Sequence, residues 1–328
     1  MDTRRDRQNM GMRLVGIDEI RVAAKRIDGA VLRTTLLPAN WAAPDRPLWI
    51  KPEGFQAMGA FKLRGATNAL AELDESARAN GVVAYSSGNH AQAVAYAARA
   101  AGVPAVIVID DTAPSTKIDA TRALGAEVVL VPLHERQGVA EELARTRGAA
   151  LIPPFDHPAV IAGQGTIGLE IAEDLPDVDV VLVPVSGGGL ISGIAVAIKA
   201  LCPNAKVYGV EPELAGDATA SFGAGHLVHW PSTERVRTIA DGLRAEPSEL
   251  TFAHFQAVLD GFLTVSEEQI KEAMRQLAYG SGLVAEPSGA VTTAGYLFHS
   301  DVLPAGKTVA VLSGRNVDKE LFAEVLRG

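Results

Sequence analysis

The sequence predicts an α/β protein of two interleaved lobes, with mostly parallel twisted sheets flanked by helices. Short apolar, β-branched runs alternate with alanine-rich helical stretches almost throughout the 328 residues. Continuous apolar strands separated by helices imply a parallel sheet covered on both faces. No low-complexity linker interrupts the pattern, so interleaved lobes fit this length better than a string of domains. Ligands of such sheets sit beyond the carboxyl ends of strands, where the strand order switches.

Taken in order, strands are expected at residues 81–84, 105–109, 127–131, 180–184, 206–210 and 308–312. Helices are expected at 61–73, 90–101, 115–124, 138–147, 164–174, 190–201 and 266–280. The uncharged stretch 180–198, VVLVPVSGGGLISGIAVAI, is nearly long enough to span a bilayer. Pro184 and Gly187–Gly189 would break a helix in its middle. It reads instead as a buried strand, a glycine turn and a buried helix.

Composition narrows the function classes. Thirty basic and 39 acidic residues give a net charge of −9, without the basic footprint that nucleic-acid binding needs. The single cysteine, Cys202, cannot form an intramolecular disulfide. The N-terminus mixes charges and has no apolar core or cleavage signature, so a secretion signal is not expected and a cytoplasmic location is. Glycine is in excess, with 32 residues, and its positions carry information.

Two glycine-rich segments compete as phosphate binders. Gly163-Gln164-Gly165-Thr166-Ile167-Gly168 satisfies GxGxxG, but Pro153 to Pro158 precede it where a buried strand should stand. The acidic residue expected about 20 positions later is also missing. Close helix packing explains these glycines better than a nucleotide-dependent oxidoreductase does. Ser186-Gly187-Gly188-Gly189-Leu190 lies directly between a strand and a helix. That arrangement offers backbone N–H groups to an anion at a helix N-terminus. No Lys-Ser/Thr follows, so a single phosphate fits, although a merely tight turn is equally open.

Lys62 sits among small and apolar residues, MGAFKLRGA. Burial lowers a lysine pKa and makes the amine a nucleophile for carbonyls. Ser86-Ser87-Gly88-Asn89 follows the expected strand at 81–84 and opens a helix, forming a second nest suited to a carboxylate. His226 and His229 have neither the HExxH spacing nor a third ligand nearby, and read as loop histidines.

Seven segments occur in order: FQAMGAFKLRGA (55–66), SSGNHAQA (86–93), SGGGL (186–190), VYGVEPELAGD (207–217), TIADGL (238–243), VAEPSGA (284–290) and LSGRNVD (312–318). Together they resemble the fold-type II pyridoxal-phosphate enzymes, in the group of serine/threonine dehydratases, serine racemases and threo-3-hydroxyaspartate dehydratases. The resemblance runs from about Ile17 to the end of the chain. It implies a tryptophan synthase β-like fold with the cofactor in the cleft between a large lobe (1–53 and 157–328) and a small lobe (54–156).

The resemblance also implies roles. Lys62 would bind pyridoxal phosphate covalently and then move the substrate α-proton. Phe61 and Asn89 would flank the ring, Ser186, Gly187, Gly188, Gly189 and Leu190 would cradle the phosphate, and Ser313 would face the pyridine nitrogen. Ser86, Ser87, Asn89 and His90 would surround the substrate carboxylate. A neutral serine does not enforce protonation of that nitrogen, which favours loss of a β-hydroxyl over reprotonation. Ser87 stands where racemases place a second proton carrier, or it only binds the carboxylate; both readings are open. Glu211, the Ala215 carbonyl and Asp217 match a Mg²⁺ or Ca²⁺ site of relatives, although spacing alone would make them solvated surface charges.

The implied activity is an ammonia-lyase (dehydratase) that converts a β-hydroxy amino acid to a 2-oxo acid and ammonia. The alternative is an amino-acid racemase with dehydratase side activity. A homodimer is expected, without nucleic-acid or membrane partners and without an appended regulatory domain. Two positions depart from the group's pattern. Arg315 replaces a glycine and is expected either to point to solvent or to reach an acidic group near the site. Ala245 stands where some racemases have a serine.

Overall fold

The computed structural model describes residues 13–328. The segment read above as lacking a secretion signal falls largely before Arg13, and that part lies outside the described residues.

Among the described residues ten strands form two sheets. β1 (Leu37–Pro38), β2 (Leu48–Pro52), β7 (Val180–Pro184), β8 (Lys206–Pro212), β9 (Gly261–Val265) and β10 (Thr308–Leu312) make one, in the order β1-β2-β10-β7-β8-β9. Only β1 runs antiparallel to its neighbour there. β3 (Val82–Tyr85), β4 (Ala105–Asp110), β5 (Glu127–Val131) and β6 (Ala150–Leu151) form an all-parallel second sheet, β5-β4-β3-β6. These are the parallel, helix-flanked sheets that the sequence predicts.

The central strands are apolar because both faces are covered. Along β7, Val180 and Leu182 join one core, with Ala310 and Leu312 of β10. The intervening Val181 and Val183 join the opposite core with Val309 and Val311. The first core packs on helices Glu267–Ser281 and Pro287–Phe298, the second on helices Gly189–Leu201 and Glu249–Val258. The apolar stretch 180–198 is divided between strand β7 and helix Gly189–Leu201, and no helix among the described residues is long and apolar enough to cross a membrane.

Strand order places the loops that carry chemistry. Chain order leaves β3 for β4 on one side and later returns to β6 on the other, so the order switches at the carboxyl end of β3, where Ser86 to Asn89 lie. In the larger sheet it switches beside β7, whose carboxyl end leads into Ser186 to Gly189.

The GxGxxG segment is not a loop. It lies inside helix Pro158–Asp174, which starts with a proline in its first turn, where the missing N–H costs nothing. A Cβ on Gly163 would lie 2.7 Å from the Gly65 Cα, and one on Gly168 would lie 2.7 Å from the Ile194 carbonyl. These glycines bring helix Lys62–Ala71 and helix Gly189–Leu201 against one central helix, which removes the oxidoreductase reading. Gly65 is likewise a helix contact, and a Cβ there would meet the Gln164 side chain at 2.4 Å.

Gly193 tests this packing by sign. In a solvated helix Gly→Ala stabilises by about 1 kcal/mol. Here the new Cβ would sit 2.2 Å from the Ile161 carbonyl. Gly193→Ala is therefore expected to destabilise by about 1–3 kcal/mol in urea unfolding. A stabilised variant would show that these helices part freely.

Candidate active site

Lys62 is the first residue of helix Lys62–Ala71. The chain reaches it through a turn at Gly59, whose φ of +73° is a left-handed conformation suited to glycine. The Phe61 N–H donates to the Ser313 carbonyl at 3.0 Å, and Ala60 bridges Gly314, so the start of this helix is stitched to the end of β10. Lys62 Nζ lies 5.1 Å from the Phe61 ring centroid and donates to the Pro154 carbonyl at 2.6 Å. Desolvation lowers its pKa to about 8.

The next residue, Phe155, forms one wall of the glycine loop. A Cβ on Gly187 would lie 2.3 Å from its ring, and one on Gly189 would lie 2.9 Å from its Cα. Gly188 has φ +88°, and a Cβ there would lie 2.3 Å from Phe255. Helix Gly189–Leu201 starts here, so its first N–H groups point out of the helix end. Ser186 Oγ accepts the Ala245 N–H at 2.9 Å and donates to the Ala245 carbonyl at 3.2 Å, which fixes the edge of the loop. Ala245 thus meets the site through its backbone. The lysine amine and this glycine loop are separated by one residue, the step from Pro154 to Phe155.

The serine-rich nest occupies the switch point of the smaller sheet. Ser86 Oγ accepts the Gly88 N–H at 3.1 Å. Ser87 Oγ accepts from Arg136 Nη1 at 2.9 Å. Asn89 begins helix Asn89–Ala101, where free N–H groups favour an anion. Its side chain is engaged across the cleft, with Nδ2 donating to Glu286 Oε1 at 2.8 Å and Oδ1 accepting from Asn316 Nδ2 at 2.7 Å. Glu286 also accepts the Asn316 N–H at 3.1 Å, and burial raises its pKa to about 7.

The His90 side chain is engaged within the protein. Its ring is turned inward and buried, with Nε2 donating to the Ile152 carbonyl at 2.8 Å and Nδ1 unpartnered. Burial, reinforced by the charge of Lys62, lowers its pKa to about 3. It is a neutral imidazole and offers no cation to a carboxylate.

Ser313 is buried at the end of β10, beside the stitched Phe61. Arg315 is exposed and forms no ion pair among the described residues. It lines a 270 Å³ surface cavity with Phe55 and Val284, so of its two expected placements the solvent-facing one holds. His226 and His229 are exposed loop residues, as expected.

The expected metal site is only partly assembled. Glu211 spends both oxygens on the start of helix Asp217–Ala224, accepting from Ala218 N at 3.3 Å and from Thr219 N and Oγ1 at 2.7 Å each. Asp217 Oδ2 is buried without a partner, and Ala215 is buried nearby. Burial first, then the charge of Asp217, raises Glu211 to about 8, and burial raises Asp217 to about 7. Among the described residues no three His, Cys, Asp or Glu side chains form a metal cluster.

Arg136, Glu286 and Asn316 carry no signature of a site role in the sequence. Arg136 follows a solvated segment, Leu133-His134-Glu135, and reads as a surface charge. Glu286 and Asn316 lie within recognised segments, but Asn89, with which they pair, is 197 and 227 residues away along the chain.

One expected result follows from the desolvated amine. Uptake of an aldehyde cofactor needs neutral Lys62, so its rate should rise with pH and level off above about 8. Stopped-flow reconstitution of the apo-protein checks this. A rate still climbing near pH ~10, the range of an ordinary lysine, would contradict it.

The profile of the pyridoxal-phosphate dependent enzymes matches residues 27–314. The L-threo-3-hydroxyaspartate ammonia-lyase of Saccharomyces cerevisiae is 41% identical over 312 residues, 93% of this chain and 94% of that protein. The L-threonine ammonia-lyase of Thermotoga maritima is 42% identical over 95% of this chain and 78% of its own length. The solved structure of maize serine racemase aligns with a TM-score of 0.90 at 37% identity, covering 96% of this chain and 98% of that one.

Proposed function

The chain belongs to the pyridoxal-phosphate dependent enzymes, and from that premise we propose that it is an ammonia-lyase for a β-hydroxy amino acid, releasing a 2-oxo acid and ammonia. The observation that carries the reading is the desolvated Lys62 amine, held by the Pro154 carbonyl one residue from the wall of the glycine cradle.

The residues present fit the cofactor. Gly187 to Gly189 are places where any Cβ would collide with Phe155 or Phe255, so the backbone itself faces the cradle. The amides of Ser186 to Leu190 would hold the phosphate, Ser313 would face the pyridine nitrogen, and Phe61 and Asn89 would flank the ring. When bound, pyridoxal phosphate supplies an aldehyde for amines and a ring that accepts the electron pair left at the α-carbon. Lys62 Nζ takes the α-proton. The Ser86–Asn89 nest orients the substrate carboxylate by backbone N–H groups and hydroxyls, while His90 supports the nest from within.

Racemisation is the second reading, favoured by Ser87, whose hydroxyl is fixed in the cleft by Arg136 and would carry a proton on the face opposite Lys62. Glu211, Asp217 and the Ala215 carbonyl suit a hard cation such as Mg²⁺ or Ca²⁺, because two buried carboxyls lie together and one oxygen has no partner. Its role would be structural or activating. The division into lobes 1–53 with 157–328 and 54–156 is supported by the smaller sheet, whose strands all fall within the second range. A homodimer in a reducing cytoplasm completes the reading, the lone Cys202 being buried and free.

The test is a panel of D- and L-serine, threonine, 3-hydroxyaspartate and phenylserine, assayed for 2-oxo acid and for inversion at the α-carbon. Release of 2-oxo acid from at least one member is expected. A holoenzyme that releases none from any of them sinks the lyase reading.

A further inference from the structure

Three neighbouring parallel strands bring an acid, a hydroxyl and a guanidinium to one corner of the cleft. Ser87 follows β3, Asp110 ends β4, and Arg136 opens helix Arg136–Arg147 after β5. Arg136 Nη1 donates to Ser87 Oγ at 2.9 Å and lies 3.4 Å from Asp110 Oδ2. Thr112 Oγ1 donates to Asp110 Oδ1 at 2.8 Å and orients the carboxylate. Asp110 is 7% exposed, and Arg136 Nε is buried without a partner.

A long arginine side chain loses rotamer freedom when it is pinned to one neutral hydroxyl. Asp110 supplies the opposite charge that keeps it in place. Burial works against the carboxylate, but Ser87, Thr112 and Arg136 outweigh it and hold Asp110 below its ordinary range. Arginine only donates hydrogen bonds, so its contact engages an Oγ lone pair, and the serine proton is left to be shared with the Asp110 carboxylate until it is released.

Resting on the reading of Ser87 as the second proton carrier, we propose that Asp110 is a positioning residue for that step. It anchors Arg136, and through it fixes the Ser87 rotamer and stabilises negative charge on Oγ as the hydroxyl proton leaves. The proton passes from Oγ to the substrate α-carbon, and solvent restores it afterwards.

Asp110→Asn and Asp110→Glu holoenzymes test this, with Thr112→Val as a milder perturbation of the same carboxylate. The ratio of racemisation to elimination should fall about 10-fold or more in the Asn variant. It should fall less in Thr112→Val and recover in the Glu variant. A crystal structure of Asp110→Asn should show Arg136 off Ser87. An unchanged ratio, or Arg136 still seated on Ser87, overturns the proposal. If the wild type does not racemise at all, the second-carrier reading of Ser87 fails instead, and the variant structure alone decides whether Asp110 is the anchor.

Discussion

Lys62→Ala is expected to lose elimination by about 10³-fold or more, because one substitution removes both the proposed covalent anchor and the proposed α-proton carrier. The holoprotein should also lose the visible absorbance of the lysine-bound cofactor. Folding should not suffer. The amine is desolvated with one hydrogen bond to the Pro154 carbonyl and no ion pair among the described residues, so its loss leaves no buried charge stranded. A Lys62→Ala enzyme with the wild-type urea midpoint and no activity separates chemistry from structure. Retained turnover at even a tenth of the wild-type rate would remove Lys62 from the mechanism.

Glu53→Ala has the largest expected effect on stability. Arg64, two residues beyond Lys62 on the same helix, is fully buried. Its Nε and Nη2 donate to the two Glu53 oxygens at 2.8 Å each, and its Nη1 donates to Glu170 at 2.6 Å. Lys51, buried in β2, completes the cluster on Glu170 at 2.6 Å. Removing Glu53 leaves two buried cations against one carboxylate, at a cost of about 3–5 kcal/mol. Replacing Glu53 and Arg64 together with apolar residues should recover most of that loss.

The same cluster predicts a pH dependence. Burial alone would raise the Glu53 pKa, but Arg64, Lys51 and Thr34 together outweigh it and the net shift is downward. A depressed folded pKa contributes stability above the unfolded value of ~4.3, and that stability is lost as pH falls through the folded value. Chemical unfolding from pH 7 into the acid range should show this loss in the wild type and a shallower slope in the double variant. Equal slopes would show that the cluster carries no net linkage.

The difference between legible and hidden elements is physical. β7 and β10 announced themselves because both their faces are buried and every residue can be apolar. β2 stayed hidden because Lys51, its next-to-last residue, reads as a solvent-facing charge, whereas Glu170 from a distant helix neutralises it. Helix Pro158–Asp174 was expected to begin at 164, since the prolines before it look like a loop; one of them is its first residue. In the site, Lys62 and the Ser186–Leu190 cradle are local signatures, made by a few consecutive residues. Arg136, Glu286 and Asn316 acquire their roles only from partners far along the chain. The His90 ring is held by the Ile152 carbonyl, a partner 62 residues along the chain.

Pyridoxal phosphate is expected to attach at Lys62. Borohydride reduction of the holoenzyme, followed by proteolysis and mass spectrometry, reads that bond directly. The phosphopyridoxyl adduct should be found on the peptide containing Lys62. An adduct on another lysine, or none on a fully reconstituted protein, would contradict the account.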